Sequence, residues 1–245
     1  MRECLFLLLC VLPCCHSFAE VNVAAAISMK ESLTRIGGEF TRQTGEKVNL
    51  AFGSSGQLTT QIEAGAEIDL FISAANAQVD DLIKNETADA TTRTVVARNE
   101  LVLIVPAGAV SKVTDLNDLP NARRIAIGEP KTVPAGQYAK QTLASLKIID
   151  AVQEKLIYGS NVRQVLDLVI RNEVDAGIVY LTDANQAGDT VKIIATANPT
   201  MHEPLEYPAV IIKNAAHVAE AKKFLTFLQS DAAQEVFVAV GFKKP

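Results

Sequence analysis

The sequence predicts an α/β protein built from two architecturally similar halves. Three observations carry that reading. From Val21 onward, short apolar runs of strand length alternate with segments of helical period, the order expected of a largely parallel sheet with helices packed on it. The run Leu101-Val102-Leu103-Ile104-Val105-Pro106 is apolar throughout, as a strand buried on both faces must be, and after it the alternation restarts. At the turn Phe52-Gly53-Ser54-Ser55-Gly56, two hydroxyls and two glycines stand where a strand hands over to a helix. Such a place offers free backbone N–H groups and the positive end of a helix dipole, a seat for an anion.

Residues 1–19 stand apart from this pattern. Arg2, the apolar stretch from Leu5 to Leu12 and the end Ser17-Phe18-Ala19 read as a secretory signal peptide, with cleavage expected after Ala19. The apolar run is too short to span a bilayer, and no later run reaches that length, so a soluble mature chain is expected. Pro13 and Cys14 stand where a lipobox has small residues, which argues against anchoring through Cys14 or Cys15. All four cysteines (Cys4, Cys10, Cys14, Cys15) fall in this segment. The mature chain is therefore expected to hold no disulfide, no cysteine-bound metal and no thiol nucleophile. A hydrophobic fraction of 49% in 245 residues allows a substantial core. The net charge of −5 argues against nucleic acid as a partner, and 5% aromatics without Trp leave little for a sugar- or base-stacking platform.

In order, Val21–Ile27 reads as a strand, and Met29, Leu33, Ile36 and Phe40 as the apolar face of a helix closed by Gly45. Gly37-Gly38 within that helix costs about 1 kcal/mol per glycine relative to Ala, for which close packing on a neighbour is the expected reason. Val48–Phe52 is a strand, and Leu58 and Ile62 belong to a short helix that Ser55 could cap. Ile68–Ala74 is a strand, followed by a helix through Val79 and Leu82 with Asn76 as its cap. The second half supplies strands at Arg124–Gly128, Lys155–Tyr158, Ala176–Tyr180 and Val191–Ala195, with helices opening after Val133-Pro134-Ala135 and after Gly159-Ser160-Asn161. Glu206–Ile212 is a late strand whose Pro208 predicts an edge position. Two helices end the chain, the second capped by Ser230 and closed by Gly241.

The strand-to-helix junctions collect Ser28, Ser55, Ala135 and Val162, with Tyr180 at the carboxyl end of its strand. Ligands of open α/β sheets bind outside the carboxyl ends of strands. The groups on offer are hydroxyls and backbone N–H, all neutral donors, and no junction position is Asp or Glu. Such a set suits an anion that is fully deprotonated at pH 7 and so needs only donors. Arg163 and Lys30 lie close in sequence and are expected to be scaffold or surface charges. His202 and His217 are expected to be solvated. A serine hydrolase using Ser55 or Ser28 is the alternative from another class, but Gly53-Ser54-Ser55-Gly56 is not the G-x-S-x-G elbow and no histidine is well placed as base.

Six stretches resemble one family in its own order: Ala24–Ser28, Phe52–Gly56, Gln61–Ala66, Asp69–Ala74, Val133–Ala139 and Glu173–Tyr180. They are similar to the periplasmic molybdate-binding proteins of ABC transporters, over essentially the whole mature chain. The resemblance implies a two-lobed type II periplasmic binding fold, each lobe a mixed, mostly parallel sheet flanked by helices. Residues 20–98 with 204–245 would form one lobe and 99–203 the other. It implies molybdate or tungstate as ligand, held by Ser28 and Ser55 from one lobe and by Ala135, Val162 and Tyr180 from the other. These residues would meet molybdenum only through the oxygens of its oxyanion. It further implies no cofactor, no enzymatic activity, a monomer in the periplasm, and the membrane permease of an ABC importer as partner. Gly56 stands where some members carry a further serine, and Ile27-Ser28-Met29 where many have Ala-Ser-Leu. Another tetrahedral oxyanion such as sulfate remains the alternative ligand, since it presents the same four acceptors.

Overall fold

A computed structural model describes residues 20–245. The expected signal peptide, its expected cleavage position and all four cysteines lie outside the described residues. The first half of the chain forms β1 (Glu20–Ala26), α1 (Lys30–Thr44), β2 (Lys47–Gly53), α2 (Ser55–Glu63), β3 (Leu70–Ile72), α3 (Asn76–Lys84) and β4 (Thr94–Arg98). The middle forms β5 (Leu101–Pro106), β6 (Ile125–Gly128), α4 (Pro134–Ser145), α5 (Ile149–Val152), β7 (Leu156–Gly159), α6 (Val162–Ile170), β8 (Ala176–Tyr180), α7 (Leu181–Ala187) and β9 (Val191–Thr196). The chain then returns as β10 (Glu206–Ile211), α8 (Val218–Leu228) and α9 (Asp231–Ala239).

Two five-stranded sheets result, in the orders β2-β1-β3-β10-β4 and β7-β6-β8-β5-β9. Each is mixed, with parallel and antiparallel pairings in equal number, because β10 in one sheet and β5 in the other run against their neighbours. The chain passes from the first sheet to the second between Arg98 and Leu101, and back between Thr196 and Glu206. The two sheets with their helices are the two lobes.

The periodicity explains the packing. Leu33, Ile36 and Phe40 of α1 are buried together on one face, and the helix stops at Gly45, whose φ of 77° is the left-handed conformation glycine adopts without penalty. The Phe40 ring meets Phe224 and Phe227 of α8 edge-on, at centroid distances of 5.1 and 5.4 Å, which docks the returning segment on the first lobe. All six residues of β5 are buried, as its unbroken apolar run requires.

Three local expectations are corrected, and two elements are added. Pro208 is not on an edge: β10 lies between β3 and β4, and the ladder to β4 shifts register between Tyr207 and Pro208, so an irregularity accommodates the missing N–H. The strand β4 and the helix α7 were not legible in the sequence; α7 takes up Thr182 and Asp183 directly after β8. Gly37 has ordinary room for a Cβ beside Val48 and Leu50, and Gly38 has nothing within 4 Å, so close packing does not account for the pair. Asn76 is the first residue of α3 rather than its cap; its amide joins Glu206 and Arg93 instead.

Register positions the functional end of each sheet. Ala26 pairs with Gly53 at the ends of β1 and β2, and Gly128 pairs with Gly159 at the ends of β6 and β7. Parallel strands that end level bring their following turns side by side. No helix among the described residues is long and apolar enough to cross a membrane.

Candidate functional site

Those turns meet between the lobes. Ser28, Ser55, Ala135, Val162 and Tyr180, the five residues singled out from sequence, all line one cavity, together with Gly53, Ser54, Ala74 and Pro134. Its empty volume, mouth included, is about 210 Å³. A larger hollow on the second lobe, around Val110 and Arg123, gathers none of these donors.

The first lobe contributes side-chain hydroxyls. Ser28 follows β1 in a single 3₁₀ turn and is buried, with its Oγ 3.0 Å from the Tyr207 hydroxyl. Asn99, at the crossing between lobes, donates to that same hydroxyl at 3.2 Å and to Thr182 Oγ1 at 2.9 Å. The Tyr207 hydroxyl, already accepting from Asn99, has a proton to give to Ser28 Oγ, and in that arrangement the Ser28 proton is left for the cavity. Tyr207 and Asn99 carried no sequence signal of this role, since both sit in ordinary strand-end positions.

Ser55 is the first residue of α2, and Ser54 is its N-cap, so Ser55 does not cap the helix. Its fully buried hydroxyl accepts from the Ala74 N–H at 3.0 Å, beyond the end of β3. A hydroxyl that accepts keeps its own proton to donate.

The second lobe contributes helix N-termini. Pro134 occupies the first turn of α4 and has no N–H of its own, which places the Ala135 N–H at the front of that helix. Asn161 caps α6 by accepting from the Gln164 N–H at 3.0 Å, and Val162 is the first residue of that helix. First-turn N–H groups have no intrahelical acceptor, so Ala135 and Val162 bring uncommitted main-chain donors to the cavity.

Tyr180 ends β8 fully buried, its ring 5.9 Å from that of Tyr207. Its hydroxyl reaches across the lobes to the Ala74 carbonyl at 3.5 Å, and Tyr138 donates to the same carbonyl and to that of Pro204, each at 3.4 Å. Burial pushes the hydroxyls of Tyr138, Tyr180 and Tyr207 well above the ordinary phenol range. All three therefore remain neutral and protonated at physiological pH.

Two contacts tie the lobes together at the rim. The Gly56 N–H donates to the Thr132 carbonyl at 3.0 Å, and a Cβ on Gly56 would lie 2.6 Å from that oxygen. Arg163 reaches Glu31 of the first lobe at 2.6 Å through Nη2, while its Nε lies 2.7 Å from the carboxylate of Asp183 in its own lobe. Asp183 is fully buried, and burial pushes its carboxyl up to about 7 against the opposing pull of Arg163. Arg163 is thus a scaffold charge engaged by two carboxylates, and Lys30 is exposed. The cavity lining itself is neutral.

The histidines are occupied elsewhere. His202 Nδ1 lies 2.7 Å from the Glu203 carbonyl, and its ring meets Tyr138 edge-on. His217 is not simply solvated: its backbone N–H and its Nδ1 both meet the buried carboxylate of Asp69, at 3.0 and 3.2 Å. Neither bonds the Ser55 hydroxyl, whose partner is a backbone N–H. Among the described residues no group of three or more His, Cys, Asp or Glu is placed to hold a metal ion.

A model of the bacterial extracellular solute-binding proteins matches residues 21–243. The chain belongs to that family. As an extracellular solute-binding protein it works outside the cytoplasm, and its two mixed sheets are those of the two-lobed periplasmic binding fold. Among relatives, the molybdate-binding protein ModA of Haemophilus influenzae is 37% identical over 230 residues, 91% of this chain and 90% of the relative. Among solved structures, the periplasmic molybdate-binding protein of Azotobacter vinelandii superposes with a TM-score of 0.81 at 28% identity, covering 92% of this chain and 99% of that one. The sulfate-binding protein SubI of Mycobacterium tuberculosis also reaches 0.81, at 17% identity and with 92% and 87% covered, which speaks to the fold alone.

Proposed function

We propose that this solute-binding protein captures molybdate or tungstate and delivers it to the membrane permease of an ABC importer. One observation carries the reading: five donors from two lobes, all neutral, line a single small cavity that contains no carboxylate. A molybdate dianion has only acceptors to offer at neutral pH, and a site of donors alone matches it. A phosphate that keeps a proton would ask for an acceptor. The molybdate-binding relatives support the choice of anion.

The geometry supports a role for each of the five residues. Ser28 and Ser55 donate hydroxyl hydrogen bonds from the first lobe. Ala135 and Val162 donate backbone N–H from the second, and Tyr180 its hydroxyl, which turns from its long 3.5 Å bond to the Ala74 carbonyl. The lobes span residues 20–98 with 204–245, and residues 99–203. The anion favours the closed arrangement because only there do both donor sets reach it; differential affinity of this kind is what shifts an open–closed equilibrium. Residues 1–19 act as a signal peptide directing the chain to the periplasm, where it serves as a monomer. It performs no catalysis, needs no cofactor and binds no nucleic acid.

Thermal unfolding of the purified protein with molybdate, tungstate, sulfate, phosphate or no anion tests this. A ligand that binds only the folded state adds about 2.7 kcal/mol at 100 times its dissociation constant, a readable rise in Tm. A rise with molybdate and tungstate but not with sulfate is the expected result. A rise with sulfate alone keeps the site and changes the ligand, and no rise with any anion overturns the reading.

A further inference from the structure

We propose that Ser54 is a further ligand-contacting residue, donating its hydroxyl to the oxyanion beside Ser55; this rests on the oxyanion reading above. Three observations carry it. Ser54 is 3% exposed, and its Oγ is buried without a hydrogen-bond partner. It is the N-cap of α2 by its backbone, extended at φ −70° and ψ 144°, with its carbonyl accepting from the Leu58 N–H at 3.0 Å, yet its side chain makes no capping hydrogen bond. It lines the same cavity as Ser28, Ser55 and Tyr180.

Elsewhere the chain uses such residues to cap. Asn161, Asp115 and Ser230 each accept a first-turn N–H at the start of their helices. A serine at an N-cap ordinarily does the same, and a buried hydroxyl with no partner is destabilising. The neighbouring Ser55 hydroxyl is tied to the Ala74 N–H. The turn therefore holds one hydroxyl anchored to the scaffold and one uncommitted. An oxyanion in the cavity supplies the missing acceptor, and a fully deprotonated one accepts what a hydroxyl donates. The Gly53–Ser55 turn would then hold one anion through two adjacent hydroxyls.

Titration calorimetry with sodium molybdate, beside thermal unfolding without anion, tests the assignment. Ser54→Ala is expected to weaken molybdate about tenfold, the loss of one hydrogen bond to an anion, while the anion-free Tm stays at or above the wild-type value because no protein bond is removed and an unpartnered buried hydroxyl is lost. A role confined to the helix would reverse that pattern, lowering Tm and leaving Kd unchanged. Ser54→Gly, which an N-cap tolerates with little loss, reads the same hydroxyl should the alanine variant fold poorly. A wild-type Kd in either folded variant overturns this inference alone. Failure of the wild-type protein to bind molybdate overturns the oxyanion reading and this inference with it.

Discussion

The two lobes build their halves of the cavity by different means. The first offers Ser28 and Ser55, whose hydroxyls are aimed through partners on other elements, Tyr207 and the Ala74 N–H. The second offers Ala135 and Val162, whose donors are main-chain N–H groups at the starts of α4 and α6, with Tyr180 as its one side-chain donor. Three of the five donors are therefore side-chain hydroxyls, and two are main-chain N–H groups set by backbone position. Deleting a hydroxyl breaks the first kind. Only moving the backbone breaks the second.

The largest expected effect tests the main-chain donors. A Cβ on Gly136, the residue after Ala135, would lie 2.0 Å from the Gly128 carbonyl at the end of β6. Both partners are main chain, so α4 must shift away from the sheet. Gly136→Ala should lose about 3 kcal/mol of stability in urea unfolding and lose molybdate binding, although no donor side chain is touched. Wild-type binding in this variant would show that the α4 N-terminus is not a donor.

A paired measurement sharpens the comparison. Ser55→Ala removes a cavity hydroxyl and leaves the buried Ala74 N–H without its acceptor; it should weaken molybdate by about 2 kcal/mol, roughly thirtyfold in Kd. Val162→Ala trims a buried side chain at the cost of roughly 2 kcal/mol of stability but keeps its N–H, so Kd should stay within about threefold of wild type. Equal losses in the two variants would erase the distinction drawn between the lobes.

The smallest expected effect concerns the charges behind Val162. Burial raises the Asp183 carboxyl to about 7, above the ordinary 3.8. An acid raised in the folded state holds its proton there while the unfolded chain has released it, so stability grows as pH falls from about 7 towards 4. Carboxylates lowered by hydrogen bonds, such as Glu39, Asp118 and Asp175, act in the opposite sense and below that window. The Tm of wild type relative to Asp183→Asn should therefore rise between pH 8 and pH 5. A pH-independent difference would mean that Arg163 keeps Asp183 ionised throughout.

Much of this was legible in the residues because strands, helices and their junctions are short-range patterns. The apolar run of β5, the spacing of Leu33, Ile36 and Phe40, and the hydroxyls after β1 and β2 required no knowledge of distant neighbours. Three of the misreadings turn on a partner remote in sequence. Pro208 reads as an edge residue until its neighbours on both sides are known, because an irregular register is a property of strand pairs. Ser55 reads as a cap until Ala74, nineteen residues away, supplies its N–H. His217 reads as solvated until Asp69 is brought against it. In each case the deciding partner is remote in sequence.

By itself, then, the sequence determined the alternation of elements, the neutral character of the donors and five of the positions that line the cavity, because local periodicity and junction chemistry act over a few residues. Only the tertiary structure decided that Tyr207 and Asn99 orient Ser28, that Glu31 and Asp183 engage Arg163, and that the Ser54 hydroxyl is left uncommitted. Those outcomes depend on which groups folding carries together and which it seals from water, and no local pattern encodes either.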